Sequence, residues 1–273
     1  MRSLVHLSDL HFGRVDDDTL SPLQTCIAGL APNLVVVSGD LTQRARTPQF
    51  AAARRFLDSL PRPQIVVPGN HDVPLYDVMR RFLAPLDRYR AYITDDLEPF
   101  YSDEVMAVIG VNTARSLTFK GGRINERQLE VVRSRLCDLP ADVTRIVVTH
   151  HPFDVPLSDT QEERVGRATL AMHRLARCGV DVLLSGHLHV SHSASTGERF
   201  GPAVRPVVLV QAGTATSTRG RGESNAFNRI LVQRGKITVE RYEWNPAAGI
   251  FSRVQVEAYE KRSEGWSAVT AAP

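Results

Sequence analysis

Leu34-Val35-Val36-Val37-Ser38-Gly39-Asp40 is a short apolar run that closes on a glycine and a carboxylate. A continuous run of this length, rich in β-branched residues and bounded by a turn signal, reads as a strand buried on both faces. Four other runs end in the same manner. Leu4-Val5-His6-Leu7 leads to Asp9-Leu10-His11, and Ile65-Val66-Val67 to Gly69-Asn70-His71-Asp72. Ile146-Val147-Val148 leads to His150-His151, and Val182-Leu183-Leu184 to Gly186-His187-Leu188-His189. Open α/β sheets bind ligands beyond the carboxyl ends of their strands. The five runs are therefore expected to deliver Asp9, Asp40, Asn70, His150 and His187 to one edge of one sheet.

Between these runs, residues 19–31, 47–60 and 126–138 carry apolar positions three and four apart, the period of amphipathic helices. Asn125 followed by Gln128 resembles a capping box, and Thr47-Pro48 places proline at a helix start. The alternation predicts an α/β protein. Past Val207 the strands come close together, joined by turns such as Arg234-Gly235, which predicts an antiparallel meander and a second sheet. Residues 75–92 carry an apolar stripe at helical spacing (Leu75, Met79, Phe82, Leu83, Leu86, Tyr89), read as core packing in preference to a lid over the site. One domain is expected over 1–260, with 261–273 a frayed tail.

The chain has 273 residues, 42% of them hydrophobic and 23% charged, which excludes disordered and collagen-like classes. Its 33 Lys+Arg against 30 Asp+Glu leave only +3, too little for a broad phosphate-contacting surface of the kind a general nucleic-acid binder needs. The three cysteines, Cys26, Cys137 and Cys178, stand far apart in sequence and do not read as a disulfide framework or a thiolate zinc site. That fits a reducing compartment. With no leader-like segment and no apolar run near the roughly 18 residues of a membrane span, a cytoplasmic protein is expected.

The strand-end residues are two carboxylates, one amide oxygen and several imidazoles, without thiolate. Such a set suits Mn²⁺, iron or Zn²⁺. One catalytic ion needs about three protein ligands, whereas Asp9, His11, Asp40, Asn70, His150, His187 and His189 make seven. Two ions fit better, with a carboxylate shared between them. Two divalent ions, two carboxylates and one shared hydroxide leave about one positive charge, which attracts a phosphate ester anion. Strand direction favours His150 over His151 as the ligand. His6 reads as a core histidine, and His173 and His192 as surface or loop residues.

Asp9-x-His11, Gly39-Asp40, Gly69-Asn70-His71-Asp72, His150 and Gly186-His187-x-His189 resemble, in full and in order, the signature of the calcineurin-like metallophosphoesterases. The resemblance spans residues 9–189. It implies a four-layer α/β/β/α sandwich with two mixed sheets. It implies one ion on Asp9, His11, Asp40 and His189, and another on Asp40, Asn70, His150 and His187. It also implies that His71 contacts phosphate and protonates the leaving group, with Asp72 either orienting His71 or capping the following turn.

Gln43 stands where protein phosphatases of the superfamily carry the second acid of Gly-Asp-x-x-Asp-Arg. His71 stands where lipid A precursor pyrophosphohydrolases carry arginine. The resemblance is therefore to the branch of class III cyclic nucleotide and glycerophosphodiester phosphodiesterases, which implies a small phosphodiester as substrate. A nuclease, a phosphomonoesterase and a catalytically silent scaffold are the alternatives. Arg219 and Arg221 in a glycine-rich loop, and Asn112 and Arg115 after a strand-like run, are candidate substrate contacts; a solvated hairpin is the other reading of the arginine loop.

Overall fold

The computed structural model describes residues 1–118, 120–155, 164–197, 199–201, 204–218 and 222–270. The first half alternates strand and helix: β1 (Arg2–Leu7), α1 (Asp17–Leu30), β2 (Leu34–Val37), α2 (Thr47–Ser59) and β3 (Gln64–Val66). Two short helices follow, α3 (Val78–Leu83) and α4 (Asp87–Tyr92). Next come β4 (Phe100–Ser102), β5 (Met106–Gly110), α5 (Glu126–Leu136), β6 (Thr144–Val148), α6 (Ala168–Arg177), β7 (Val182–Ser185), β8 (His192–Ser195) and β9 (Val208–Gln211). The chain closes with β10 (Ala226–Gln233), β11 (Lys236–Asn245), β12 (Ile250–Arg262) and β13 (Gly265–Val269).

Two mixed sheets result. One runs β13-β12-β11-β10-β1-β2-β3 and the other β4-β5-β6-β7-β9-β8. Leu4, Val36, Ile65, Val108, Ile146, Val148, Leu184 and Val210 interdigitate between the sheets and are almost fully buried. On the outer face of the first sheet, Leu23, Ile27, Phe50 and Leu57 of α1 and α2 pack on Val5, Leu7 and Val35. On the outer face of the second, Leu129 and Val132 of α5 and Met172 and Leu175 of α6 pack on Ile109, Val147 and Leu183. The four-layer α/β/β/α sandwich follows from strands apolar on both faces, which need cover on both sides. The Asn125–Gln128 capping box is closed in both directions, at 2.9 and 3.1 Å.

Four expectations are corrected. The five ligand-bearing runs do not share one sheet: β1, β2 and β3 belong to the first, β6 and β7 to the second. The closing meander is not a second sheet either, because β10 pairs antiparallel with the open edge of β1 and extends the first. Residues 261–269 are not frayed, since β13 pairs with the end of β12 and Trp266 is buried, its indole N–H donating to Asp181. Cys137 and Cys178, 41 residues apart, form a disulfide between the C-termini of α5 and α6, which pack side by side. Isolated cysteines therefore no longer argue for a reducing compartment.

The stripe over 75–92 divides. Leu86 and Tyr89 are core, with the Tyr89 hydroxyl donating to the Val66 carbonyl at 3.0 Å. Met79, Phe82 and Leu83 are exposed, so core packing does not hold for α3. Among the described residues, no helix is long and apolar enough to cross a membrane.

Candidate metal centre

The carboxyl ends of β1, β2 and β3 meet those of β6 and β7 across the gap between the sheets. Asp9, His11 and Asp40 come from the first sheet, and His150, His187 and His189 from the second. Asp9, His11, Asp40 and His189 form one group whose ligand atoms lie within 4.8 Å of one another; His150, His151 and His187 form another. Asn70 joins the second group through its Oδ1, 3.1 Å from His150 Nε2. All seven ligand residues named from the sequence are thus brought together.

Asp40 stands between the groups. Its Oδ1 lies 3.4 Å from His150 Nε2 and its Oδ2 3.8 Å from His11 Nε2. Its Oδ1 also accepts the backbone N–H of His71 at 2.8 Å. Burial pushes this carboxyl's pKa up, but His150, His71 and His11 outweigh burial and hold it below the usual range. In Asp9, burial is outweighed in the same way by His189 and His11. Both carboxylates are ionised although almost nothing of either is exposed.

The donor set fits a cation on four counts. Asp9 Oδ2 is satisfied by the Ser8 hydroxyl at 2.6 Å and the His187 backbone N–H at 2.9 Å, whereas its buried Oδ1 has no hydrogen-bond partner. That oxygen faces His189 Nε2 at 3.2 Å and His11 Nε2 at 3.6 Å. The Nε2 atoms of His11 and His189 are themselves 3.1 Å apart, so two imidazoles converge on one point. His150 Nδ1 donates to the Ser38 carbonyl at 2.8 Å, which leaves Nε2 as the ring nitrogen that faces Asp40 and Asn70.

His151 lies near His187 but is already occupied. Its Nδ1 pairs with the Thr113 hydroxyl at 2.8 Å and its Nε2 with the Lys120 carbonyl at 2.8 Å. Proximity groups it with the ligands; its hydrogen bonds exclude it, and the hydrogen bonds decide. Burial lowers His187 to about 3, with the His150 charge adding to the effect, while Asp40 overcomes burial and raises His150 to about 9.

Backbone strain marks the same residues. Among the described residues, eight non-glycine residues have positive φ, and five are Asp9 (53°), His11 (49°), Asp40 (51°), His187 (74°) and His189 (59°). Such conformations persist where the surroundings over-determine them, and they cluster at functional sites. Gly69 is required for a different reason: a Cβ there would collide with the Asp40 carboxylate.

His71 sits at the rim, its ring 4.9 Å from that of His11, with Nδ1 3.0 Å from the Gln43 carbonyl. The Asp72 carboxylate accepts the N–H groups of Leu41 (3.1 Å), Thr42 (2.9 Å) and Gly69 (2.9 Å), and the Thr42 hydroxyl (3.0 Å). It ties the β2 loop to the β3 loop. Burial, then the Asp40 charge, raises Asp72 to about 6 against these donors. The Arg115 guanidinium donates to the Asn112 and Ala114 carbonyls and to Gln128, and Asn112 Oδ1 caps Ala114. These two residues line a neighbouring cavity of about 510 Å³ with Val73 and Leu86. Arg219 and Arg221 lie outside the described residues.

Sequence reasoning missed the supports. Thr214 and Thr216 donate to the carbonyls of Asp9 and Leu10 at 2.7 and 2.8 Å and brace the first ligand loop from behind. The Ser38 carbonyl orients His150, and the Ser8 hydroxyl holds Asp9. Only Ser8, directly before Asp9, leaves a trace in the sequence.

The chain is 26% identical over 157 residues to a probable cyclic nucleotide phosphodiesterase of Rhodopseudomonas palustris, covering 57% of this chain and 56% of the relative. It is 27% identical over 177 residues to the glycerophosphodiester phosphodiesterase GpdQ of Enterobacter lignolyticus, covering 59% and 60%. The chain thus spans less than two thirds of the length of either relative. The fold matches a dimetal phosphatase from Danio rerio with a TM-score of 0.60 at 14% identity, over 94% of this chain and 98% of that one. The calcineurin-like phosphoesterase family model matches residues 2–191, the stretch that carries every candidate ligand described above, and the chain belongs to that family.

Proposed function

We propose that this chain is a metal-dependent hydrolase of small phosphodiesters, cyclic nucleotides or glycerophosphodiesters among them. The observation that carries the reading is Asp40, a buried carboxylate with one oxygen toward His150 and the other toward His11. Asp9, His11, Asp40 and His189 would hold one ion, and Asp40, Asn70, His150 and His187 the other. Manganese or iron suits this imidazole–carboxylate set, and zinc is compatible with it. When bound, such a pair supplies positive charge to the ester's non-bridging oxygens and acidifies a water.

The chain's own residues supply the remainder. Ser8, Ser38, Thr214 and Thr216 hold the ligand loops at fixed positions, so orientation is settled before substrate arrives. His71, outside both ligand groups, would give a proton to the leaving oxygen. As the water oxygen bonds phosphorus and the ester P–O bond breaks, that proton neutralises the departing alkoxide. The diester preference is supported by the relatives' names and by His71 in place of arginine.

Metal-stripped protein reloaded with Mn²⁺ is expected to take up two ions per chain and to hydrolyse bis(p-nitrophenyl) phosphate in preference to p-nitrophenyl phosphate. Asp40→Ala and Asn70→Ala are expected to reduce both metal content and rate. A preference for the monoester would move the reading to a phosphatase. Full metal content with no hydrolysis of either ester would leave a scaffold.

A further inference from the structure

The two imidazoles assigned to the ion of Asp40 and Asn70 are steadied in different ways. His150 is aimed through its Nδ1, which donates to the Ser38 carbonyl at 2.8 Å. His187 donates its backbone N–H to Asp9 Oδ2 at 2.9 Å, but among the described residues neither nitrogen of its ring has a hydrogen-bond partner. A ligating imidazole ordinarily gives its other N–H to an oxygen that fixes the rotation of the ring. His187 has no such partner, and its backbone is held at a φ of 74°, in the left-handed region.

What stands against the His187 ring is the ring of His151, 4.6 Å away between centres and tilted by 48°. The His150 ring meets both of them edge-on, at 5.1 and 4.9 Å. His151 is itself locked. It is fully buried, with Nε2 2.8 Å from the Lys120 carbonyl and Nδ1 2.8 Å from the Thr113 hydroxyl. A carbonyl only accepts, so Nε2 carries the hydrogen and Nδ1 accepts from Thr113. Rotating the ring would break both bonds and leave the fully buried Thr113 hydroxyl without its acceptor. Gly122 lies so close to the ring that a Cβ there would collide with it.

We propose that His151 is a positioning residue of the metal centre: its locked ring is the wall that orients the His187 imidazole, in place of the hydrogen bond that His187 lacks. The inference rests on the two-ion reading above and adds to it a residue that coordinates neither ion. If packing sets the orientation, what counts at position 151 is a flat ring, and the hydrogen bonds serve only to hold that ring still.

The test measures Mn²⁺ affinity by calorimetry on the metal-stripped full chain in two single-site backgrounds. His11→Ala disables the first ligand group and His187→Ala the second. Adding His151→Ala is expected to weaken Mn²⁺ binding about tenfold to a hundredfold in the His11→Ala background. In the His187→Ala background it is expected to change nothing, because the ring it positions is gone. In the His11→Ala background, His151→Phe, which keeps a flat ring, is expected to hold the ion nearly as well as histidine. His151→Gln, which can make both hydrogen bonds without a ring, is expected to lose as much as His151→Ala. Equal weakening in both backgrounds, no weakening in either, or glutamine holding the ion better than phenylalanine would overturn the positioning role. Urea unfolding of the metal-free variants shows which of them fold, and if His151→Ala does not, the phenylalanine and glutamine variants decide between ring and hydrogen bonds. A His187→Ala chain that binds as many ions as wild type would instead remove His187 from the ligands, and the two-ion reading would fall before the role of His151 came into question.

Discussion

The Nδ1 atom of His71 lies 3.0 Å from the carbonyl oxygen of Gln43. A carbonyl only accepts, so Nδ1 carries a hydrogen, and any proton exchanged with substrate passes through Nε2. His71→Ala is therefore expected to keep both ions, by metal analysis, and to lose about 10² to 10⁴ in kcat on diesters with alkoxide leaving groups. With p-nitrophenolate, which departs without a proton, the loss is expected to be much smaller. Equal losses on the two classes would remove His71 from the acid role.

Metal uptake is expected to release protons. His150 is raised to about 9 by Asp40 against burial, so metal-free protein holds it as imidazolium at neutral pH, while His187, lowered to about 3, is neutral. A ligand nitrogen must be unprotonated. Titrating Mn²⁺ at neutral pH in two buffers of different ionisation enthalpy is expected to show about one proton released per centre. Apparent affinity is expected to rise with pH until about 9. No proton release, or affinity flat with pH, would contradict the charge assigned to His150.

Asp72 accepts three backbone N–H groups and one hydroxyl from the β2 and β3 loops. Removing it strands donors in a fully buried position, at about 1–3 kcal/mol each. Asp72→Ala is expected to destabilise the chain by about 3–5 kcal/mol, measured as a shifted urea midpoint at constant m-value. A loss below about 1 kcal/mol would mean that the loops hold themselves.

His6 gives a pH dependence of stability separate from the centre's chemistry. Fully buried in β1, with Nε2 2.8 Å from the Ser38 hydroxyl and Nδ1 unpartnered, it is lowered by burial to about 3. The unfolded chain, with the ordinary value of 6.5, takes up this proton first as pH falls. Stability from this group is present above pH 6.5 and lost between 6.5 and about 3, at up to about 1.4 kcal/mol per pH unit. His6→Gln is expected to flatten the slope of unfolding free energy against pH in that window, measured on chelated protein. An unchanged slope would refute the assignment.

Much of this was legible because apolar runs and metal-binding residues are local signals. Leu34–Val37 followed by Asp40 announces both a strand and its cargo, and the seven candidate ligands that the fold brings together could all be named. Sheet membership was not legible, because it depends on which strand finds the open edge of β1, and β10 does so from more than 200 residues away. The inside-out α3 was misread for a similar reason. Met79 and Phe82 have the spacing of a buried stripe, and only the capture of Arg81 by the Pro74, Ser116 and Thr118 carbonyls turns that face outward. The Cys137–Cys178 bond likewise depends on α5 lying beside α6.

The candidate ligands cross the gap between two sheets whose inner faces meet mostly through aliphatic side chains. Such an interface resists separation well and sliding poorly, because dispersion contacts have no preferred lateral position. Asp9 on one side and His189 on the other, 3.2 Å apart, add registration at this edge to that given by the Trp266–Asp181 and Asn228–Gln211 hydrogen bonds. With metal bound, the centre would act as a pin through two plates. Chelation is expected to increase amide exchange along β2 and β6 together, far from the loops that carry the ligands, with the outer helices little affected.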